Sequence, residues 1–413
     1  MTLDYSAPKG MRDFLPDEMS LREWAMGEIR SAYKKFGFVP METPALENLD
    51  VLEKKCGEEI KGQLFRIEDG KTALRFDLTV PLARVAASNT FRKPFKRYCI
   101  APVWRREEPQ KGRFREFFQA DADIIGCATM RAEAELIACA CSALSSLGFS
   151  GGTVRLNDRR IISAIASSLL AGKEGAVLRI LDKREKIGDE KAIAMLVEVG
   201  AKKEAAAKLL KELNPASDNS AKLKSAASYS AEAAKDLEEI VELVAQYDKG
   251  IKISLDFSLV RGLDYYTGPI FEIKLSDEIG SVGGGGRYDN LLSLYGQGEC
   301  AVGISLGIER LLFLMKGRQM KKGGIFVANI GDETYPYALE VAAKLRAAGV
   351  NAQTDLNGRN LKKQMDYASG ACAWIAIIGE KEMNAKKITL RNLESGKEEL
   401  LTIPQASEKI VKG

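Results

Sequence analysis

The chain has 413 residues, 46% of them hydrophobic and 29% charged, with a formal net charge of only +4. At ~150 residues per domain this length predicts two or three domains, and the composition is that of an ordinary globular protein. The sequence contains no histidine, which excludes Ser-His-Asp and Cys-His nucleophile pairs, HExxH zinc sites and an imidazole general base.

The first part of the chain is predicted to form a helix followed by an antiparallel sheet. Apolar residues at helical spacing predict a helix over 21–37, ended by Gly37, and residues 38–44 resemble a short strand ended by proline. Short strands separated by charged turns then follow: ALRFDL, FKRYCIAPVWRREE and REFFQADADIIG. This pattern is typical of an antiparallel sheet rather than of βαβ units. A helix rich in Ala, Cys and Leu is predicted from Arg131 to Leu147.

Residues 158–249 differ in composition, because Ala, Lys, Glu and Leu dominate and aromatic residues are few. We interpret this stretch as a helical insertion. Strand patterns return in ISLDFSLVRGLDYYTGPIFEIKL and lead into the glycine cluster SVGGGGRYDNL. AVGISLGIERLLFLM then predicts an apolar strand that turns directly into a helix.

The last ninety or so residues alternate strand and helix patterns in a βαβαβ order, which predicts a separate α/β domain over 323–413. The predicted fold class is therefore α+β. An antiparallel sheet flanked by helices, interrupted by the helical insertion, forms a domain over 1–320, and the α/β domain follows it.

The cysteines and the N-terminal residues indicate the cellular compartment. The seven cysteines form no CxxC pair and mostly lie in apolar stretches, as expected of reduced thiols in a cytoplasm. The N-terminus lacks a basic region followed by an apolar run, and no apolar stretch reaches the length of a membrane span. We expect a cytoplasmic protein with no membrane partner.

Chemistry without histidine must use carboxylates, arginines, lysines, tyrosines, backbone amides or a metal bound by oxygen. The sequence has no GxxxxGK[ST] phosphate loop and no GxGxxG between a strand and a helix. Arginines instead occur where a sheet can present them, first in VWRREEPQKGRFREFFQADAD. In its return strand Arg115, Phe117, Gln119, Asp121 and Asp123 share one parity and so one face. A solvated outer face with salt bridges is the alternative, but Phe117 and Gln119 favour a ligand-binding face.

Two further segments place arginine beside glycine. RGLDYY puts Arg261 and two tyrosines at a strand edge, where an aromatic hairpin is the alternative. Gly283 to Gly286 are compatible with a flexible turn or, with RYD directly after them, with backbone that lines a pocket. Arg310 falls in the first turn of a predicted helix, where a cation is slightly unfavourable unless an anion binds.

These segments together resemble the histidyl-tRNA synthetase family of class II aminoacyl-tRNA synthetases. The first helix and the strand ending at Pro44 resemble motif 1, the dimer-forming element. WRREEPQKGRFREFFQ resembles motif 2, GISLGIER resembles motif 3, and RGLDYY and GGGRYD resemble the two histidine-specific signatures. The C-terminal βαβαβ unit resembles the anticodon-binding domain of this subgroup, so the resemblance covers essentially the whole chain.

The resemblance implies an enzyme that joins L-histidine to tRNA-His through a histidyl-adenylate, using ATP and Mg²⁺, as a homodimer. The metal ligands are not identified by the resemblance. The implied catalytic residues are Arg105, Arg261 and Arg310. The implied substrate-binding residues are Asp77, Thr79, Arg105, Gln119, Asp123, Arg261, Tyr265 and Tyr266. The implied ATP-binding residues are Arg105, Glu107, Arg113, Phe117 and Arg310, with Phe117 stacked on adenine. Gln110 and Lys111 lie in the loop expected to meet the tRNA acceptor end.

The chain departs from the family pattern at Glu108, where the motif 2 loop commonly has arginine. The main alternative is a non-catalytic, synthetase-like regulatory subunit of histidine biosynthesis. Such proteins usually lack the anticodon-binding domain and lose the catalytic arginines. A class II synthetase for glycine, threonine or proline and a module that senses uncharged tRNA are further alternatives.

Overall fold

The computed structural model describes residues 4–54, 58–110, 112–213, 218–260, 266–296, 298–320 and 322–412. The chain divides into two compact units, Met1–Arg318 and Gln319–Gly413.

The first unit is built on an eight-stranded sheet among its described residues, with the strand order β1-β4-β5-β10-β9-β8-β6-β7. Neighbouring strands are antiparallel except for the pairs β1–β4 and β6–β7, which are parallel. The sheet is therefore mainly antiparallel, as the strand pattern predicts. β2 and β3 pair separately as a two-stranded sheet. The strands are β1 (Val39–Pro40), β2 (Leu46–Asn48), β3 (Thr72–Leu74), β4 (Phe95–Trp104), β5 (Glu116–Ile125), β6 (Thr153–Asp158), β7 (Lys252–Leu255), β8 (Pro269–Lys274), β9 (Ser281–Arg287) and β10 (Ala301–Gly307).

Helices pack against the sheet and around its edges. Tyr33 of the first helix is fully buried and its hydroxyl donates to the carbonyl of Ala120 in β5, at 2.9 Å, which fixes this helix to the sheet. The helices outside the insertion are α1 (Pro16–Lys35), α2 (Leu49–Glu53), α3 (Glu58–Gln63), α4 (Thr79–Ser88), α5 (Arg131–Ser146), α12 (Asp289–Leu294) and α13 (Ile308–Leu314).

The insertion leaves the sheet after β6 and returns at β7, and these two strands pair with each other. It is helical throughout its described part, and side-chain caps start several helices: the carboxylate of Asp158 accepts from the amide of Arg160, and that of Asp218 from the amide of Ala221. The insertion helices are α6 (Arg159–Leu169), α7 (Glu174–Ile187), α8 (Asp189–Glu198), α9 (Lys203–Glu212), α10 (Asn219–Tyr229) and α11 (Ala231–Tyr247).

No single helix in the described ranges is long and apolar enough to cross a membrane. Among the described helices, the pair Arg159–Leu169 and Glu174–Arg184, which is bent by 112°, reaches that length and composition when its two members are taken together.

Three local predictions were wrong in detail. The first helix begins at Pro16 instead of Leu21, because proline is well accommodated in the first helical turn. The strand ALRFDL ends at Leu74, and residues after it turn into α4. The buried guanidinium of Arg75 donates to the carbonyls of Thr43 and Pro102, which holds the chain in this turn. The predicted strand 38–44 is only two residues long.

The second unit has a five-stranded sheet in the order β12-β11-β13-β14-β15, and its first three strands are parallel. The βαβαβ order is confirmed, while the two antiparallel strands after it were not predicted. Apolar side chains of β11 and α14 form its core, together with those of β13. The elements are β11 (Ile325–Asn329), a 3₁₀ turn (Asp332–Thr334), α14 (Tyr335–Ala347), β12 (Ala352–Thr354), α15 (Leu361–Ala371), β13 (Trp374–Ile378), α16 (Glu380–Ala385), β14 (Ile388–Asn392), β15 (Glu398–Leu401) and α17 (Ile403–Lys412).

Candidate active site

A cavity of about 490 Å³ lies in the first unit, over the face formed by β5, β9 and β10. The loop between β4 and β5 and the first turn of α13 also contribute to its wall. Its volume is within the range that small-molecule sites in proteins have. Polar and charged side chains line much of the wall, as expected of a site for a charged ligand and not of a hydrophobic one.

The predicted face of β5 is confirmed except for Arg115, which precedes the strand, is not on the cavity wall and donates from its side chain to the carbonyl of Glu107. Phe117, Gln119, Asp121 and Asp123 all line the cavity, because successive side chains of a strand point to opposite faces. On the opposite parity Ala120 and Ala122 are fully buried. The charged residues of this strand are therefore the wall of a pocket, and the solvated-face interpretation is wrong.

Two carboxylates lie at the deep end of the cavity, where Asp121 and Asp123 are each only 2% exposed. The carboxylate of Asp123 pairs with the guanidinium of Arg97 at 2.9 Å and accepts from the hydroxyl of Tyr288 at 2.5 Å. Burial raises the pKa of Asp123, and the charge of Arg97 opposes that rise. Arg97 thus stabilises a carboxylate that would otherwise be buried without a partner cation.

Asp121 is less well neutralised than its neighbour. Burial, and then the charge of Asp123, raise the pKa of Asp121 to about 7. Its Oδ1 atom and the Oε1 atom of Gln119 are both buried, and within the described ranges neither has a hydrogen-bonding partner. The amide nitrogen of Gln119 donates to the hydroxyl of Ser305 at 2.6 Å, which fixes that side chain. Two acceptor oxygens are therefore available to N–H groups of a ligand.

Glycines of β9 and β10 make room for this arrangement. A Cβ atom at Gly303 would lie 2.1 Å from Oδ1 of Asp123, and one at Gly285 would lie 2.0 Å from the carbonyl oxygen of Gly303. The four-glycine run is thus a buried strand, and the flexible-turn interpretation is wrong. Gly283 and Gly284 line the cavity with their backbone.

A third acid lies where β3 gives way to α4. Asp77 is buried, accepts from the amide of Val80 at 3.1 Å and lines the cavity beside Thr79. Burial raises the pKa of Asp77 to about 6, while that hydrogen bond and the charge of Arg105 oppose the rise. The turn that ends the predicted strand therefore places an acid and a hydroxyl on the wall of the site.

The open end of the cavity carries arginines around an aromatic ring. The Nε atom of Arg105 donates to the carbonyl of Phe76 at 2.9 Å, and its guanidinium carbon lies 5.2 Å from the centre of the Phe117 ring. Arg113 and Glu107 are 3.9 Å apart, with side chains 41% and 33% exposed. Arg310, in the first turn of α13, donates to the carbonyl of Ser281. This end offers positive charge and a stacking surface, which suits a nucleotide.

Most of the predicted site residues meet at this cavity, and a few do not. Arg261, Tyr265 and Lys111 lie outside the described residues. Gln110 is described but is not on the cavity wall, and it exchanges backbone hydrogen bonds with Arg113 at 3.1 and 2.8 Å. The predicted residues on the wall are Asp77, Thr79, Arg105, Glu107, Arg113, Phe117, Gln119, Asp123, Tyr266 and Arg310.

Other residues of the site were missed or given no role. Asp121 was placed on the right face without a function, and Tyr288, Ser305 and Asp182 of α7 also line the cavity. Arg97 supports Asp123 from the neighbouring strand. The role of Arg97 could have been predicted from its position inside the apolar run FKRYCIAPVW. An arginine in a buried strand is rarely found without a carboxylate partner.

Models of two protein families match the chain. The family described as histidyl-tRNA synthetase matches residues 10–311, and the family described as anticodon binding domain matches residues 324–413. The chain belongs to the histidyl-tRNA synthetase family. Family membership makes it a ligase, an aminoacyl-tRNA synthetase of the histidine type.

Individual members of the histidyl-tRNA synthetase family are similar over nearly the whole chain. The histidine–tRNA ligase of Cytophaga hutchinsonii is 36% identical over 451 residues, which cover 98% of this chain and 99% of that protein. The histidine–tRNA ligase of Pyrococcus furiosus is 35% identical over 420 residues, which cover 97% of each.

A solved structure of this family also matches. The crystal structure of histidyl-tRNA synthetase from Nostoc sp. PCC 7120 has a TM-score of 0.87 and 28% identity, and the match covers 100% of both chains. A structure from Bacillus halodurans C, titled as an ATP phosphoribosyltransferase regulatory subunit/histidyl-tRNA synthetase, shares the fold at a TM-score of 0.76 and 23% identity, covering 92% of this chain. The regulatory-subunit alternative is not favoured, because the relatives that match at 35–36% identity over nearly the whole chain are histidine–tRNA ligases.

Proposed function

We propose that this enzyme attaches L-histidine to tRNA-His in two steps. In the first step a carboxylate oxygen of histidine attacks the α-phosphorus of ATP, the bond to the β-phosphate oxygen breaks, and diphosphate leaves. In the second step a terminal ribose hydroxyl of tRNA-His attacks the carbonyl carbon of the histidyl-adenylate, and AMP leaves. The observation that carries this proposal is one cavity with paired buried carboxylates at one end and arginines at the other.

The deep end of the cavity is proposed to bind the imidazole ring. Asp123 is held by Arg97 and Tyr288, and the acceptor oxygens of Gln119 and Asp121 supply further partners for ring N–H groups. A site built this way discriminates against analogues without ring nitrogens, because its buried polar groups would then lose their partners. We extend this subsite to Tyr266, which lines the cavity, and to Tyr265 by resemblance.

Asp77 and Thr79 are proposed to bind the α-ammonium group. A cation beside Asp77 would replace part of the hydration that burial removes from its carboxylate. The ammonium would then lie between the imidazole subsite and Arg105, which leaves the histidine carboxylate facing the arginines. Binding of histidine and the direction of attack would thus be set by the same contacts.

The open end is proposed to bind ATP. Phe117 offers a face for adenine, Glu107 an acceptor for its amino group, and Arg105 a bidentate donor to the α-phosphate. Arg113 and Arg310 would bind the outer phosphates, and Arg261 the α-phosphate by resemblance. Charge that develops on the phosphate oxygens needs fixed cations and no general base, which fits an enzyme without histidine.

Mg²⁺ is proposed to enter with ATP. The described ranges contain no group of three or more acidic or cysteine side chains that could hold a metal. Mg²⁺ at such sites is commonly bound by substrate phosphates with one or two carboxylates, and Glu107 and Asp182 are acids at the cavity wall. Bound there, the ion would offset part of the charge of the phosphates.

The tRNA is proposed to meet both units. Gln110 and Lys111 belong to the loop assigned to the acceptor end, and residues 323–413 are proposed to bind the anticodon, supported by the family match. We also propose a homodimer: Val39, in the segment that resembles motif 1, and Leu46, just after that segment, are each 48% exposed. The cytoplasm is the proposed compartment. Phosphate contacts should make tRNA binding depend on salt.

Separating the two steps tests the proposal. Enzyme mixed with labelled histidine and labelled ATP, then passed through gel filtration, is expected to carry histidine and adenosine together. Addition of tRNA-His should move the histidine label to the tRNA and release AMP. Labels that fail to elute together with the protein, or histidine that reaches the tRNA without AMP release, would contradict the two-step scheme. An Arg310→Met variant, prepared in parallel, should form far less of the complex.

A further inference from the structure

A short N-terminal segment, residues 8–14, lies against the loop of residues 105–115, which we call the arginine loop. None of the roles assigned so far involves this segment. Through neighbouring residues, its contacts extend to Arg105 and Glu107, which are proposed to bind ATP, and to Glu309, which precedes Arg310.

Arg115 joins the N-terminal segment to both ends of the arginine loop. Its amide donates to the carbonyl of Gly10 at 2.8 Å, and its carbonyl accepts from the amide of Arg105 at 2.8 Å. Its side-chain Nε atom donates to the carbonyl of Glu107 at 3.0 Å. A displacement of Gly10 therefore reaches Arg105 and Glu107 through a single residue.

Gly10 permits an unusually close approach. Its φ of +83° is a conformation that other residues rarely adopt. A Cβ atom there would lie 2.7 Å from Cγ of Arg115 and 2.9 Å from Cγ of Pro109. Any larger residue must therefore displace the side chain of Arg115 and the ring of Pro109, or move the N-terminal segment away from them.

Alternating arginines and phenylalanines extend the contact. The guanidinium carbon of Arg12 lies 4.1 Å from the ring centre of Phe14 and 5.1 Å from that of Phe114, which is in the arginine loop. The guanidinium carbon of Arg22 lies 4.0 Å from the Phe14 ring and 3.9 Å from the Phe118 ring. Stacking of a guanidinium on an aromatic ring is attractive, so the ring of Phe14, through Arg12 and Arg22, connects the segment to both the loop and β5.

The same arrangement reaches the helix that carries Arg310. Arg22 pairs with Glu309 at 2.9 Å, and both side chains are almost fully buried, at 8% and 3% exposure. The second carboxylate oxygen of Glu309 accepts from the amide of Phe118 at 2.8 Å. Glu309 immediately precedes Arg310 in α13, so these contacts set the rotation of the first helical turn.

One contact of the N-terminal segment contributes little to holding the arginine loop in place. Lys9 pairs with Glu108 at 3.0 Å, but both side chains are largely exposed. Exposed pairs of this kind contribute little to stability, because water screens the charges. The residue that departs from the family pattern thus faces the N-terminal segment, while the close approach at Gly10 and the ring of Phe14 hold the loop.

We propose that the N-terminal segment is a positioning element for ATP, which keeps Arg105, Glu107 and Arg310 in the geometry that binds the nucleotide. This inference rests on the proposed function. The residues of the segment act through the arginine loop and through Glu309, and not by touching the substrate. Histidine binds at the deep end of the cavity, so its affinity should be independent of the segment.

The first test is Gly10→Ala, compared with Gly151→Ala. Gly151 has a similar φ of +79° but nothing within 4 Å of its Cβ position, so this control carries the backbone strain without the clash. In ATP–pyrophosphate exchange, Gly10→Ala is expected to raise the KM for ATP about 10-fold or more, since small misplacements of binding groups have effects of this order. Gly151→Ala should stay within about twofold of the wild type. Calorimetry without ATP should give both variants the wild-type affinity for histidine.

The second test removes the shared ring. Phe14→Leu is expected to raise the KM for ATP, whereas Trp24→Leu should not. Trp24 also lies under an arginine, at 4.1 Å from the guanidinium carbon of Arg318, but outside this arrangement. A purely structural role would lower the melting temperature of both variants without a selective change in the KM for ATP.

The outcomes separate this inference from the proposed function. A wild-type enzyme without histidine-dependent exchange would contradict the proposed function itself. An active wild type whose Gly10→Ala and Phe14→Leu variants keep a normal KM for ATP, or lose histidine affinity to the same extent, would overturn only the positioning role.

Discussion

Arg97 and Asp123 form an ion pair of 2.9 Å, and their side chains are 1% and 3% exposed. The two residues face each other across β4 and β5 in the strand register. Arg97 also donates to the carbonyl of Leu78 at 2.9 Å, just before α4. One buried cation thus connects the proposed imidazole subsite to the turn that presents Asp77 and Thr79.

Removal of this cation should destabilise the protein. Arg97→Met leaves the carboxylates of Asp123 and Asp121 buried without a neighbouring cation. Loss of one partner of a buried ion pair typically lowers the free energy of unfolding by about 3–5 kcal/mol. Urea unfolding followed by circular dichroism should show a loss of this size. The control is Lys208→Ala, whose pair with Glu212 spans 3.7 Å and is exposed, and it should change stability by less than about 1 kcal/mol. Equal effects of the two substitutions would contradict the account of Arg97.

Gly303→Ala should weaken histidine binding selectively. The added Cβ would fall 2.1 Å from Oδ1 of Asp123 and 3.2 Å from the ring of Tyr288, so the carboxylate must leave its position. We expect the KM for histidine to rise by about 100-fold, in line with the loss of well-placed polar contacts, with a smaller change for ATP. Gly298→Ala is the control, since the nearest atom to its Cβ position is 3.8 Å away. A Gly303→Ala variant with normal KM for histidine would place the imidazole elsewhere.

Asp121 should make stability depend on pH. Its pKa of about 7 in the folded state exceeds the ordinary value near 4. Between those values the folded protein binds a proton that the unfolded chain has released, so the free energy of unfolding falls as pH rises through this window. Asp121→Asn removes this pH dependence, so between pH 5 and pH 8 its stability should gain about 3 kcal/mol relative to the wild type, since about two pH units separate pH 5 from the pKa at ~1.4 kcal/mol per unit. Urea titrations of the ligand-free proteins at both pH values measure this, and a constant difference would refute it.

Arg310→Met should reduce the rate of adenylate formation. A fixed cation at the phosphates acts in the transition state, and loss of one such group commonly lowers kcat about 100- to 1,000-fold. Single-turnover formation of the adenylate gives the rate. Arg318→Met is a suitable control, since this exposed arginine lies just beyond the same helix, over Trp24. A kcat within a few-fold of the wild type for Arg310→Met would exclude Arg310 from the catalytic group.

The sequence predicted those parts of the fold and site that depend on local periodicity. Alternation alone placed Phe117, Gln119, Asp121 and Asp123 on one face, and helical and strand periods gave the βαβαβ order of the second unit. Strand β10 running directly into α13 was likewise visible, because the apolar run AVGISLGI continues without a charged residue into the helical stretch ERLLFLM.

Features that depend on contacts between segments far apart in the chain could not be predicted from such local patterns. Tyr288 and Asp123 are 165 positions apart in the chain, and nothing in the local sequence of either residue indicates the other. The glycine run was compatible with a turn or a pocket, since its close approach to β10 exists only in the folded sheet. The strand before Asp77 ended early because Arg75 finds its acceptors in other segments.

Amino-acid-dependent ATP–pyrophosphate exchange by the wild-type protein, without tRNA, tests the central claim most directly. The carboxylates and arginines of one cavity are proposed to bring L-histidine and ATP together. Labelled pyrophosphate should therefore enter ATP when L-histidine is present, and not when glycine, threonine or proline replaces it. Exchange that is absent with histidine, or equally fast with one of the other amino acids, would contradict the account.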